Sequence, residues 1–139
     1  MGPTHPRLRA VLLTGGRAPV TLELARVFSR SGVRVHVAES ARIPLTRLSR
    51  HARHHRVPPP RQRPGAFLDA LEGLVREHAI DLVVPTCEET FWVVRGRDRL
   101  PVPVPERAVL RAVHHKGMFI DRARAHGLDV PTTVTVTDP

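Results

Sequence analysis

The sequence predicts an α/β fold, a doubly wound parallel sheet in three αβα layers. Three observations carry that prediction. Ala10–Leu13 and Ile80–Val84 are short runs almost continuous in apolar residues, the pattern of parallel strands covered on both faces. Stretches with apolar residues at helical spacing follow the strands. Glycine or proline punctuates several of the changes from one pattern to the next.

Taken in order, Ala10–Leu13 is the first strand. Gly15 and Gly16 then turn the backbone sharply above its C-terminal end. Pro19 suits the first turn of a helix, where a missing N–H costs nothing. Val20, Leu24, Val27 and Phe28 give that helix an apolar stripe, and Gly32 is its expected left-handed stop. Val33–Ala38 alternates, with Val33, Val35 and Val37 on one face and a partly wet face opposite. It is expected to lie parallel beside the first strand. From Ser40 to Pro64 the chain is irregular: Leu45 and Leu48 suit a short helical turn, and His55–Val57 a short edge strand before Pro58-Pro59-Pro60.

Pro64 opens a second helix with Phe67, Leu68, Leu71, Leu74 and Val75 on one stripe. Ile80–Val84 is the next confident strand. Thr86 with Glu89 three residues on reads as a capping box, and Phe91, Trp92 and Val94 offer the following helix an apolar face. Val102–Val104 is at best a short edge strand, because Pro103 has no N–H for a ladder. Pro105-Glu106 opens a helical turn through Val109, Leu110 and Val113. Lys116–His126 is a further helix with Phe119, Ile120 and Ala123 on one face and Gly127 as its stop. Thr132–Thr137 alternates like a strand. In such a sheet, ligands gather outside the C-terminal strand ends. Three loops are expected to meet there: Thr14–Ala18, Glu39–Arg42 and Thr86–Glu89.

A chain of 139 residues is long enough for one self-supporting core. No apolar run approaches the ~20 residues of a membrane span, and the start lacks a secretory pattern. A lone cysteine cannot form an internal disulfide, which favours the cytoplasm. The formal charge is +9, and of 22 basic residues only Lys116 is lysine. The positive charge is concentrated between Glu39 and Asp69, where no acid interrupts Arg42, Arg47, Arg50, Arg53, Arg56, Arg61 and Arg63. The basic loop Arg42–Arg63 can attract nucleic acid, although it holds no Phe, Trp or Tyr on which bases would stack.

Several residues are candidates for chemistry. The turn Gly15-Gly16-Arg17 can cradle a phosphate, but its spacing departs from the dinucleotide G-x-G-x-x-G, and Pro19 removes a donor. Glu39 stands where a ribose-binding acid belongs in a nicotinamide enzyme. Cys87 near a helix start suits a nucleophile, though no nucleophile-elbow motif surrounds it. Glu88 and Glu89 suit the helix dipole, or one of them a substrate amine or a neighbouring loop. His51, His54 and His55, or His114 and His115, lack the ligand spacing of a zinc site, so no metal is expected on this chain. Lys116 opens a helix and, as a compact ammonium, suits a phosphate.

LLTGGRAPVTLELARVFSRSGVRVHVAES, RHARHHRVPPPR, AFLDALEGLVREHAIDLVVPTCEETFWVVRGRD and VLRAVHHKGMFIDRARAHGLDVPTT, in that order, resemble the N-terminal, pre-ATP-grasp domain of carbamoyl-phosphate-synthase-like ATP-grasp ligases. The resemblance runs from about Ala10 to Thr133. It implies a Rossmann-like domain over residues 1–131 and the first residues of an ATP-grasp domain over 132–139. It further implies a ligase that uses ATP and Mg²⁺ to activate a carboxylate as an acyl phosphate and joins it to an amine. In that setting Lys116 faces the ATP phosphates, while Gly15, Gly16, Arg17, Glu88 and Glu89 line the substrate side. His115 departs from the Asp frequent before that lysine.

The ATP-grasp subdomains of the family would begin near Val134, and the sequence stops at Pro139. The resemblance therefore implies that this polypeptide alone holds neither ATP nor Mg²⁺ productively and has no ligase activity. It is expected to be either a truncated product or a stand-alone domain working with a separate ATP-grasp chain. The alternatives are a basic α/β module for nucleic acid or nucleotide and, behind it, an NAD(P)-dependent enzyme.

Overall fold

The computed structural model describes residues 8–134. The elements are β1 (Ala10–Thr14), α1 (Pro19–Arg30), β2 (Arg34–Glu39), β3 (Arg53–Arg56), α2 (Pro64–His78), β4 (Leu82–Val84), α3 (Thr90–Val93), α4 (Arg107–His114) and α5 (Lys116–Ala125), with short 3₁₀ turns at Leu45–Leu48, Cys87–Glu89 and Val94–Gly96. The four strands form one parallel sheet in the order β3-β2-β1-β4. Helices cover both faces, which makes the three-layer α/β fold expected from the sequence.

Alternation along the strands divides the core in two. Val11 and Leu13 of β1, with Val35 and Val37 of β2, meet Ala25, Leu24 and Phe28 of α1. Ala10, Leu12 and Ala38 point to the other face and meet Phe67, Leu68 and Leu71 of α2. Full burial of side chains such as Phe67, Leu12 and Leu71 contributes roughly 1.5–3 kcal/mol each. The start of β1 is held by Asp81, whose carboxylate accepts the amides of Arg9 at 2.8 Å and Ala10 at 2.9 Å. No described helix is long and apolar enough to cross a membrane.

Several local expectations need correction. The second strand's other face is wet only at its start, where Arg34 is exposed; His36 and Ala38 are as buried as Val35 and Val37, because α2 covers that side. Half of the α1 stripe holds: Leu24 and Phe28 pack on the sheet beside the fully buried Thr21 and Ala25, whereas Val20 and Val27 are 49% and 58% exposed. The edge strand is Arg53–Arg56, with Val57 buried just beyond it. Val102–Val104 forms no strand, although Val83 N–H reaches the Pro101 carbonyl at 2.8 Å. Residues 132–134 are not in a strand, and 135–137 of the expected final strand lie outside the described residues.

The chain divides into two compact units, one ending at Val104 and one beginning at Pro105. The second contains α4 and α5, which pack on each other. Ala112 and Ala123 are its buried helical residues, whereas Val109, Val113 and Phe119 of the expected stripes are largely exposed.

Candidate functional site

The sheet order places β2 and β4 on opposite sides of β1. The chain leaves β1 for β2 on one side and returns through α2 to β4 on the other. The crevice outside the C-terminal ends of β1 and β4 is therefore a topological switch point, where such sheets bind ligands. The loops after β1, β2 and β4 do meet there.

Arg17 joins them. Its guanidinium donates to both oxygens of Glu39 at 3.1 Å and to Oε1 of Glu89 at 2.5 Å. Both carboxylates are almost wholly buried, while Arg17 is half exposed. Glu39 sits at the last residue of β2. It also accepts the amides of Ser40 at 2.7 Å, Ala41 at 3.0 Å and Arg17 at 3.2 Å. Burial pushes the Glu39 carboxyl up, but the Ala41 amide, the Arg17 charge and the remaining amides outweigh it and hold it below the usual range. Burial likewise opposes the Arg17 charge, and the two carboxylates more than compensate, so its pKa is raised. Oε2 of Glu89 is buried with no hydrogen-bond partner.

Beneath the clamp lies a hydroxyl network. The Thr86 hydroxyl donates to the Thr14 carbonyl at 2.7 Å. The Thr21 hydroxyl lies 2.7 Å from the Gly15 carbonyl and 2.8 Å from Thr86 Oγ1. Thr86 thus does not cap a helix as the capping-box reading expects. Its side chain turns inward to β1, and its partner Glu89 turns to Arg17.

The glycines serve this packing. Gly15 has φ +66°, and a β-carbon on it would lie 2.4 Å from Thr86 Oγ1. A β-carbon on Gly16 would lie 2.7 Å from Thr46 Oγ1 and 2.9 Å from Val37 Cγ1. The space above the turn is filled by the protein's own side chains, and the Arg17 amide is already taken by Glu39. The turn therefore does not present the free cradle of N–H groups that a pyrophosphate needs. Glu39, the residue placed for a ribose, is instead engaged by Arg17, Ser40 and Ala41.

A cleft of about 550 Å³ opens beside the clamp. Arg17, Glu39, Glu88 and Glu89 line it with Trp92 and the Pro59–Gln62 segment. Glu88 is exposed, as is Cys87, which has φ +52°. Trp92 was not legible as a cleft residue, and although the loop Glu39–Arg42 was expected there, the role of its amides was not. Trp92 reads as one more apolar residue of a helix, and the signal that points to the amides is only their place just past a strand end. Lys116 is exposed at the first residue of α5, whose first turn carries no acid. His115 Nδ1 accepts the Met118 amide at 3.3 Å and so caps that helix. An exposed ammonium there fits one phosphate contact. The cleft carboxylates do not fit Mg²⁺, because Glu39 and Glu89 are held by Arg17 and no group of three acids gathers among the described residues.

A second polar cluster lies on the α2 face of the sheet. His36 of β2, His55 of β3 and His78 at the end of α2 come together there. His36 Nδ1 and His55 Nε2 share a hydrogen bond of 2.9 Å. Burial, then the neighbouring His78, His55, Arg34 and Arg53, push His36 down to about 4, and burial lowers His55 too. Both rings are neutral near pH 7. The sequence candidates group differently, since His54 points to the opposite face and its ring bonds the Thr46 carbonyl at 2.6 Å.

No family model matches the chain, and no curated protein matches it. Among solved structures it is similar to an L-amino acid ligase from Bacillus licheniformis, with a TM-score of 0.72 and 13% identity. The match covers 97% of this chain. That likeness shows the fold. The chain spans 36% of the length of the ligase it matches.

Proposed function

We propose that this chain is the substrate-cleft domain of an ATP-dependent ligase that joins a carboxylate to an amine. The observation that carries the reading is the superposition of nearly the whole chain on a third-length portion of an L-amino acid ligase, with a cleft at the strand ends that Arg17 and three glutamates help to line. The cleft chemistry is consistent with an amino-acid-sized ligand. The exposed Glu88 offers a carboxylate to an ammonium, and the half-exposed Arg17 retains N–H groups for a carboxylate. Gly15 and Gly16 support that wall by letting the Thr86 and Thr46 loops close on it. Lys116 supplies one phosphate contact. ATP and Mg²⁺ would be held by the part of the ligase outside the matched portion, in the same or a separate polypeptide, because no group of three acids gathers for the ion among the described residues. The chain alone then has no ligase turnover.

The single tryptophan, Trp92, makes the reading testable, since it lines the cleft with Arg95 stacked 4.6 Å from its ring centre. Titration of the purified chain with L-amino acids is expected to change Trp92 fluorescence saturably, and Glu88→Gln to weaken that response. A flat titration with every amino acid would count against the cleft assignment. Retention on duplex DNA that disappears when Arg50, Arg53 and Arg56 become Ala would favour the nucleic-acid alternative instead.

A further inference from the structure

We propose that His36, His55 and His78 form a binding site for one divalent transition-metal ion of the zinc class, which pins the edge strand β3 to β2 and to the end of α2. One ligand atom of each ring lies within 4.8 Å of the others. A tetrahedral ion with Zn–N of about 2.0–2.1 Å needs ligand atoms roughly 3.3–3.4 Å apart. The remaining difference is within reach of side-chain rotation, because two of the three rings are only half-buried and a cavity of about 570 Å³ opens against His36 and His78.

The three residues come from three separate elements, and the fold brings them together without a local motif. The parallel register pairs Ala38 with His55, which puts His36 and His55 on the same face, under α2. His78 closes the group as the last residue of that helix. Glu77 adds a counter-charge, with Oε1 3.6 Å from His78 Nε2.

The strand that gains most is β3. Its four residues are Arg53, His54, His55 and Arg56, so no apolar side chain anchors it to the sheet. Its ladder to β2 and its imidazole contacts hold it at the edge. Three imidazoles clustered where packing alone would favour aliphatic residues are well matched to a borderline-soft ion. Entry of the ion replaces the His36–His55 hydrogen bond. The ring that donates in that bond moves its proton to its other nitrogen, which frees the nitrogen facing the ion.

The test uses the chain freed of any affinity tag. Isothermal titration with Zn²⁺ is expected to give one equivalent bound, a raised melting temperature and protection of the β3 amides from hydrogen exchange. Co²⁺ is expected to give the visible absorption of a tetrahedral nitrogen-ligated ion. His78→Ala changes a residue at a helix end and is expected to lower the affinity by about 100-fold or more, whereas His51→Ala leaves it unchanged. Should a histidine variant misfold, the Co²⁺ spectrum of the unaltered chain decides alone. A featureless or octahedral spectrum, or Zn²⁺ binding that His78→Ala does not weaken, overturns the site. Neither result bears on the cleft, which shares no residue with it.

Discussion

Gly15 and Thr86 stand so close that a β-carbon on the glycine would lie 2.4 Å from the threonine hydroxyl oxygen. These residues belong to the loops after β1 and β4, neighbouring strands whose connections run to opposite sides. Their contact seals the switch point from below. Gly15→Ala meets two penalties at once, the collision and a φ of +66° that an L side chain resists. A loss of about 2–4 kcal/mol is expected in urea unfolding. Adding Thr86→Ala removes the collision but not the backbone strain, so the double variant should remain less stable than Thr86→Ala alone.

Arg17 has a comparable structural task across the top of the site. Its guanidinium lies between two carboxylates that are both buried, and removing it leaves them facing one another without a counter-charge. Arg17→Ala is expected to cost about 1–3 kcal/mol, with the half-exposure of the arginine keeping it below a fully buried pair. Glu89→Gln in the same chain removes one of the stranded charges and should restore part of the loss. Thermal unfolding of the two variants checks this. An equal loss in both would mean that packing, not charge, is what Arg17 supplies.

The same geometry sets a pH dependence. The folded pKa of Glu39 lies below its ordinary 4.5, so between the two values the unfolded chain binds more protons than the folded one. Its stabilising contribution is fully present above 4.5 and is lost as the pH falls through the folded value. Asp81, with an ordinary value of 3.8, acts in the same direction through the Arg9 and Ala10 amides. Urea midpoints followed from neutral pH downward should therefore fall first below about 6.5, where the unfolded chain protonates His36 before the folded one, and further below about 4.5. Glu39→Gln should flatten the part of the curve below 4.5 and leave the slopes that belong to Asp81 and His36. An unchanged slope in that variant would contradict the assignment.

How much of this was legible in the sequence depends on the range of the interaction. The two strands that are apolar throughout, and the helix opened by Pro64, follow from local pattern, and so does the meeting of three loops at the strand ends. The clamp did not follow, because Arg17, Glu39 and Glu89 are linked by pairing across 22 and 72 positions, which periodicity does not encode. Thr86 and Glu89 show the cost of local reading. A capping box accounts for them as neighbours, yet each has a stronger partner on another loop. The histidine trio was hidden for the same reason, since only the β2–β3 register reveals that His36 and His55 share a face.

In α1 the local pattern misplaced half of the buried face, and this has a measurable consequence. Apolarity selects Val20, Leu24, Val27 and Phe28, of which Leu24 and Phe28 do pack on the sheet; Thr21 and Ala25 replace the two valines because small side chains let the helix approach β1 and β2 closely, and Thr21 gains its hydroxyl bonds there. Val27→Thr on the exposed side should change stability by no more than about 0.5 kcal/mol. Ala25→Leu, which raises the hydrophobicity of the helix, should instead destabilise by about 1–3 kcal/mol, since the added volume has no room beneath the helix. Chemical denaturation of the pair would reverse the order that hydrophobicity predicts. If Ala25→Leu proved the more stable, the helix would not sit on the sheet through this face.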